Sequence, residues 1–314
     1  MTQSLAFVFP GQGSQAVGML SELADRYAVV RTTFEEASQI LGYDLWQFAQ
    51  EGPAELLNQT DKTQPAILTA SVAIWRVWQE LEGPRPAMVS GHSLGEYSAL
   101  VCAGAINFSD AVNLVKLRGE FMQDAVPEGT GAMTAVLSLS DDKVEEACRL
   151  ASEGDVVVPV NYNCPGQVVI AGSKAAVERA GAKCQELGAK RVVPLPVSVP
   201  SHCTLMKPAA DRLAIELEKI VIEEPRIPVV QNVNGLPTSD VDTIRANLLA
   251  QLYSPVRWVS CVEYMIAQGV DTTVECGPGK VLVGLNKKIQ RSLKVLAIND
   301  PESLTSTIEL VKGA

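Results

Sequence analysis

Short apolar runs alternate along this chain with longer stretches whose apolar residues recur at helical spacing, and that alternation most narrows what it can fold into. LAFVF at 5–9 is followed by a polar loop, a helical pattern over about 17–41 and another over about 64–81 that Pro65 could open. An apolar run ends at Val89, a helix follows Ser93, and a further helix is expected from about Ser109 to Asp124. Strands separated by helices favour a mostly parallel sheet covered by helices.

After PEGT at 127–130 the texture changes. MTAVLSL reads as a strand, DDKVEEACRLAS as a helix, VVVPVNY and QVVIAG as strands, KAAVERAGAKCQEL as a helix and KRVVPLPV as a strand. That βαββαβ order is the arrangement of a ferredoxin-like module, so a small inserted domain is expected at 127–198. Segments 1–126 and 199–314 then form the core. In the second of these, helices are expected at about 203–220, 241–253 and 257–268, strands at PVVQNV, TTVEC and KVLAIN, a helix opened by GPGK, and a terminal helix.

A chain of 314 residues, 47% of them hydrophobic, can fill a core of this size. The opening MTQSLAFVFPGQG has no basic region and no stretch approaches a membrane span, so a soluble, unexported protein is expected. Seven cysteines without CxxC spacing argue against a disulfide framework or a zinc site and point to the cytoplasm. A net charge of -10 disfavours a nucleic-acid or anionic-membrane partner, because phosphate binding needs accumulated positive charge.

Against that background VSGHSLGEY at 89–97 stands out. A strand, a tight turn and a helix meet at Ser93, which makes GxSxG a candidate nucleophile elbow. A serine needs a base, and the chain has two histidines. His92 adjoins Ser93, but consecutive side chains at a sharp turn diverge; His202, in VPSHCTLM where a helix is expected to start, is the better candidate. The positive end of that helix would keep its ring neutral. No acid announces itself to orient the histidine. The N–H of Leu94 would serve a tetrahedral oxyanion, and FPGQGSQ, after the first strand, offers a second donor around Gln12. The same stretch matches GxGxxA of a dinucleotide fingerprint, but Glu35 and Glu36 fall in a helix interior rather than at a strand end.

Arg118 falls on the apolar face of its helix, in a row with Leu114 and Met122. Burying a guanidinium costs several kcal/mol unless a carboxylate or equivalent hydrogen-bonding group meets it. Either a protein acid or a bound substrate must supply one, and the pattern leaves both open.

Together these pieces resemble the malonyl-CoA:acyl carrier protein transacylase family. The resemblance rests on FPGQGSQ, GHSLGEYSAL, LRGEFMQDAVP, NYNCPGQVVIAG, VPSHCTLM and ECGPGKVL, in that order along the whole chain. It implies an α/β-hydrolase-like core with a ferredoxin-like insertion. By the same resemblance Ser93 is the nucleophile, His202 the base, Arg118 the clamp on the malonyl carboxylate, and the N–H groups of Gln12 and Leu94 the oxyanion hole. The backbone carbonyl of Gln251 would orient His202, which accounts for the missing acid.

The implied reaction is ping-pong transfer of malonyl from CoA to the phosphopantetheine thiol of acyl carrier protein, with no metal or redox cofactor. A serine hydrolase or thioesterase, a trans-acting polyketide acyltransferase and a non-catalytic carrier-binding module are the alternatives. Acyl carrier protein is typically acidic, so its docking needs a local reversal of charge. Gly277 to Asn299 contains five basic residues and no acid, including Lys287 and Lys288, and Lys190 with Arg191 add a basic pair in the small domain.

Overall fold

The computed structural model describes residues 4–197 and 199–313; the ends of the expected segments at 1–3, 198 and 314 lie outside the described residues. The strands are β1 (Leu5–Phe9), β2 (Met88–Gly91), β3 (Gly131–Leu137), β4 (Val157–Cys164), β5 (Gln167–Ser173), β6 (Arg191–Pro194), β7 (Val229–Val230), β8 (Thr272–Glu275) and β9 (Lys294–Ala297). The helices before the antiparallel segment are α1 (Ser21–Arg26), α2 (Ala28–Leu41), α3 (Leu45–Glu51), α4 (Ala54–Leu57), α5 (Thr60–Glu80), α6 (Gly95–Cys102) and α7 (Phe108–Asp124). Those that follow are α8 (Asp141–Ala151), α9 (Lys174–Glu186), α10 (Lys207–Leu217), α11 (Val241–Tyr253), α12 (Trp258–Ala267), α13 (Val281–Ile289) and α14 (Pro301–Lys312).

Two sheets organise the molecule. The first runs β7-β2-β1-β8-β9, every neighbour parallel. β1 is its middle strand and all five of its residues are buried, which is why LAFVF reads as an unbroken apolar run rather than an alternating one. Phe9 pairs with Gly91 and Val89 with Val229, so the chain leaves β1, β2 and β7 at one end of the sheet. Loops at the carboxyl ends of parallel strands are where such sheets build sites.

The second sheet is antiparallel, in the order β4-β5-β3-β6. Its pleat divides the core with a period of two. Val168 and Ile170 of β5 pack with Val144, Cys148, Val177 and Cys184 of α8 and α9, while Val169 and Ala171 pack with Met133 and Cys203 on the other face. The strand ladder also touches the rest of the chain directly, since Tyr162 N–H donates to Val256 O and Val256 N–H to Val160 O.

Several expected boundaries change. The helix expected over 17–41 is two helices, because Tyr27 is extended (φ -128°, ψ 107°) between α1 and α2. Leu23, Ala24, Val30 and Phe34 all stay buried across that break, so the apolar period runs on and hides it. α3 and α4 occupy a stretch given no structure from sequence. Pro65 does not open its helix: α5 begins at Thr60 and carries Pro65 inside. Packing overrides the local signal there, for the first turn of α5 lies against Gly119 of α7, where an added Cβ would stand 2.6 Å from Asp61 Cα. Of PVVQNV only Val229 and Val230 pair in the sheet, freeing Gln231 and Asn232. The helix expected from 203 starts as a 3₁₀ turn at Thr204–Met206, and α10 proper begins at Lys207.

Candidate active site

Ser93 stands at the end of β2 with φ 52°, a left-handed conformation that costs energy in a non-glycine residue and holds the side chain clear of the sheet. The flanking glycines are steric necessities. A Cβ on Gly91 would lie 1.9 Å from Gly95 C, and one on Gly95 would lie 2.0 Å from Phe9 O. Asn232 pins the turn, accepting from Ser93 N–H at 2.7 Å and donating to Gly91 O at 2.7 Å.

His202 Nε2 lies 2.8 Å from Ser93 Oγ. Its other nitrogen, Nδ1, faces the backbone carbonyl of Gln251 at 2.6 Å. A carbonyl can only accept, so Nδ1 carries the hydrogen and Nε2 is left as the acceptor for the serine hydroxyl. His202 is only 3% exposed, and its own N–H is tied to Leu252 O. Burial is the main reason its pKa falls to about 3, with the Arg118 charge adding to it and the Gln251 bond opposing it. The ring is therefore neutral, as expected, but for a different cause: burial and Arg118, rather than the end of a helix. His92 turns away, its Nε2 2.8 Å from Asn163 Oδ1.

The N–H groups of Gln12 and Leu94 have no acceptor in the protein among the described residues. Both residues line a cavity of about 120 Å³ together with Gln64, Ser93, Arg118 and His202. Met122, Met133, Leu195, Val197 and Val199 line it too. A larger cleft of about 420 Å³ shares Gln12, Thr60, Val197 and Val199 with it. The cavity of about 510 Å³ around Trp75, Arg76 and Arg226 contains no serine or histidine.

Arg118 is 1% exposed, and the guanidinium enters the Ser93 cavity. Nη1 donates to Gln64 Oε1 at 2.7 Å and Nη2 to Gln251 Oε1 at 3.0 Å, with Nη2 also 3.4 Å from Ser93 Oγ. Its charge sits over the Tyr97 ring, 5.4 Å from the centroid. Of the two partners left open by the sequence, a protein carboxylate is absent from these contacts among the described residues.

Gln64, Glu96 and Asn232 escaped sequence reading. Gln64 and Asn232 are neutral amides with no periodic signal, brought in from 54 and 139 residues away by tertiary folding. Glu96 had one: every residue from Gly95 to Leu100 of α6 is buried, so the only acid of that short helix has no solvent face. Burial pushes its carboxyl up to about 7, opposed by donors from Asn232, Gln251 and Gln231 and by the Arg118 charge.

The basic residues lie elsewhere. Lys190 precedes β6 and Arg191 opens it, while Lys287 and Lys288 end α13, with Lys288 Nζ 3.4 Å from Gln167 Oε1. None of the four lines the Ser93 cavity.

Residues 6–306 match the acyl transferase domain family. The chain is 62% identical over 310 residues to the malonyl CoA-acyl carrier protein transacylase of Escherichia coli K12, covering 99% of this chain and 100% of that one. Among solved structures, an acyl carrier protein S-malonyltransferase from Vibrio cholerae superposes with a TM-score of 0.96 at 61% identity, over 97% of this chain and 100% of that one. A malonyl-transacylase solved in complex with its type II PKS acyl-carrier protein superposes with a TM-score of 0.97 at 56% identity, over 98% of this chain and 100% of that one.

Proposed function

Since the chain belongs to the acyl transferase domain family, among the malonyl-CoA–acyl carrier protein transacylases, we propose that the site around Ser93 carries that transfer by a ping-pong mechanism. The enzyme moves malonyl from CoA to acyl carrier protein. His202 Nε2 takes the Ser93 proton as Oγ attacks the thioester carbonyl. The N–H groups of Gln12 and Leu94 receive the oxyanion. Collapse breaks the C–S bond, the thiolate leaves with the proton from His202, and a malonyl-serine ester remains. The pantetheine thiol of the carrier then repeats the sequence in reverse. Protons and acyl group balance without a metal or redox cofactor. Arg118 binds the free malonyl carboxylate, and the 420 Å³ cleft takes the pantetheine arm.

One observation carries this reading. A serine–histidine pair at 2.8 Å shares its cavity with a buried guanidinium that no protein carboxylate engages among the described residues. That is a site for an acyl group bearing its own carboxylate. We take 1–126 and 199–314 as an α/β-hydrolase-like core and 127–198 as a ferredoxin-like insertion, supported by the two sheets and by the β6-β3-β5-β4 order of the second. No helix among the described residues is long and apolar enough to cross a membrane, and seven buried free cysteines support a reducing, cytoplasmic setting.

Intact mass spectrometry after mixing with malonyl-CoA tests the mechanism. A malonyl adduct on Ser93 that is discharged by phosphopantetheinylated carrier protein, and survives in water alone, is the expected result. Absence of any adduct, or its rapid discharge by water, overturns it in favour of a binding module or a hydrolase.

A further inference from the structure

Arg118 is a buried cation whose hydrogen bonds go to neutral groups, the amides of Gln64 and Gln251 and, at 3.4 Å, the Ser93 hydroxyl. Removing such a charge from water needs an opposite charge nearby. A carboxylate bonded directly to the guanidinium would supply one, and would also occupy the face a substrate carboxylate needs. The fold places an acid one amide away instead.

Glu96 is fully buried. Its Oε2 accepts from Asn232 N–H at 2.8 Å and Gln251 Nε2 at 3.1 Å, and its Oε1 accepts from Gln231 Nε2 at 3.3 Å. Every one of these groups is a donor, and a backbone N–H cannot be turned over. Arg118 can only donate and Ser93 O can only accept, so the Gln251 amide turns its carbonyl oxygen to Arg118 and its NH₂ to Ser93 O and Glu96. A carboxyl oxygen that accepts from the amide also polarises it, making the amide oxygen a stronger acceptor for the guanidinium.

We propose that Glu96 is the positioning residue for Arg118, acting through the side-chain amide of Gln251, and that this relay sets the preference for a carboxylate-bearing acyl group. The proposal rests on Arg118 being the substrate clamp. His202 depends on the main-chain carbonyl of Gln251, a separate part of the same residue, so the relay bears on acyl choice more than on the base. Ser93 O also accepts from Gln251 Nε2, at 3.0 Å, so some loss with every donor is expected and the ratio between donors is the informative quantity.

The experiment measures single-turnover loading of Ser93 from malonyl-CoA and from acetyl-CoA. The variants are Glu96→Met, which keeps the bulk and removes both acceptors, Glu96→Gln, which keeps one oxygen, Arg118→Ala, and the two Glu96 changes combined with Arg118→Ala. Glu96→Met should lower the malonyl-to-acetyl ratio about tenfold or more, as loss of a bond to a charged group does. Glu96→Gln should recover part of that ratio, and neither should lower it further once Arg118 is gone. A purely structural role would reduce both donors alike, or reduce the ratio equally with and without Arg118; either result overturns the proposal. Should the Met variant fail to fold in a melting curve, the Gln pair carries the same cycle. Failure of the wild-type enzyme to prefer malonyl-CoA would instead overturn the clamp itself, so the two failures are distinguishable.

Discussion

The two sides of the Ser93 cavity are held by different kinds of bond. On the serine side every bond that holds the pair in place has a main-chain group or turn at one end: a left-handed turn between glycines, the Gln251 carbonyl on His202 Nδ1, the His202 N–H on Leu252 O, and the Asn232 side chain on Ser93 N–H and Gly91 O. On the arginine side side chains hold side chains, from Gln64 and Gln251 to Glu96. Main-chain bonds persist when nearby side chains change, whereas an amide network depends on each member's identity. The bond-making machinery is thus built rigidly, and the choice of acyl group is left to residues that single substitutions can alter.

The largest test of that contrast is Ser93→Ala. It removes one oxygen from a half-buried position, so the fold should persist while the malonyl adduct disappears and transfer falls by on the order of 10⁴-fold or more. Labelling at wild-type stoichiometry would move the nucleophile elsewhere. Next is His202→Ala, which should slow loading and discharge together by roughly 10²- to 10⁴-fold, because one ring serves both half-reactions. Loss confined to one half-reaction would break the assignment.

The same contrast governs what could be read before folding. The elbow was legible because main-chain demands leave marks in sequence: two glycines at fixed spacing, an apolar run before them and a helical period after. Arg118 was legible as a charge on an apolar face, but its surroundings were not. Gln64, Asn232 and the side-chain role of Gln251 depend on contacts between elements far apart in the chain, and a neutral amide looks the same on a surface as in a site. Glu96 could have been found as the one charged residue of the short helix GEYSALVC, which offers it no charged neighbour on its own element. The break at Tyr27 and the early start of α5 were invisible for a related reason, since buried positions on either side continued one pattern.

Acidification sharpens the picture on the serine side. With its pKa near 3, below the ordinary 6.5 and chiefly through burial, the His202 ring is neutral above that lower value and charges only below it. Its imidazole NMR signals should therefore keep the neutral, Nδ1-protonated form from about pH 8 to about pH 5. An imidazolium appearing near the ordinary histidine value would contradict the burial argument. The smallest expected effect concerns the surface. Charge reversal at Lys287 and Lys288 should raise KM for carrier protein about two- to fivefold, as exposed ion pairs do, and spare KM for malonyl-CoA. Equal changes in both would remove these residues from the docking surface.

The division between a rigid chemical side and an adjustable selecting side is tested most directly by kcat/KM for malonyl-CoA and acetyl-CoA on the wild type, Arg118→Ala and Arg118→Lys, each with a melting curve. Arg118→Ala should lose about a hundredfold or more with malonyl-CoA, whose carboxylate enters the cavity unpaired, and far less with acetyl-CoA. Arg118→Lys should recover only part, since an ammonium keeps the charge without the planar fork. An equal loss with both donors, together with a lowered melting temperature, would make Arg118 a structural residue and contradict the account.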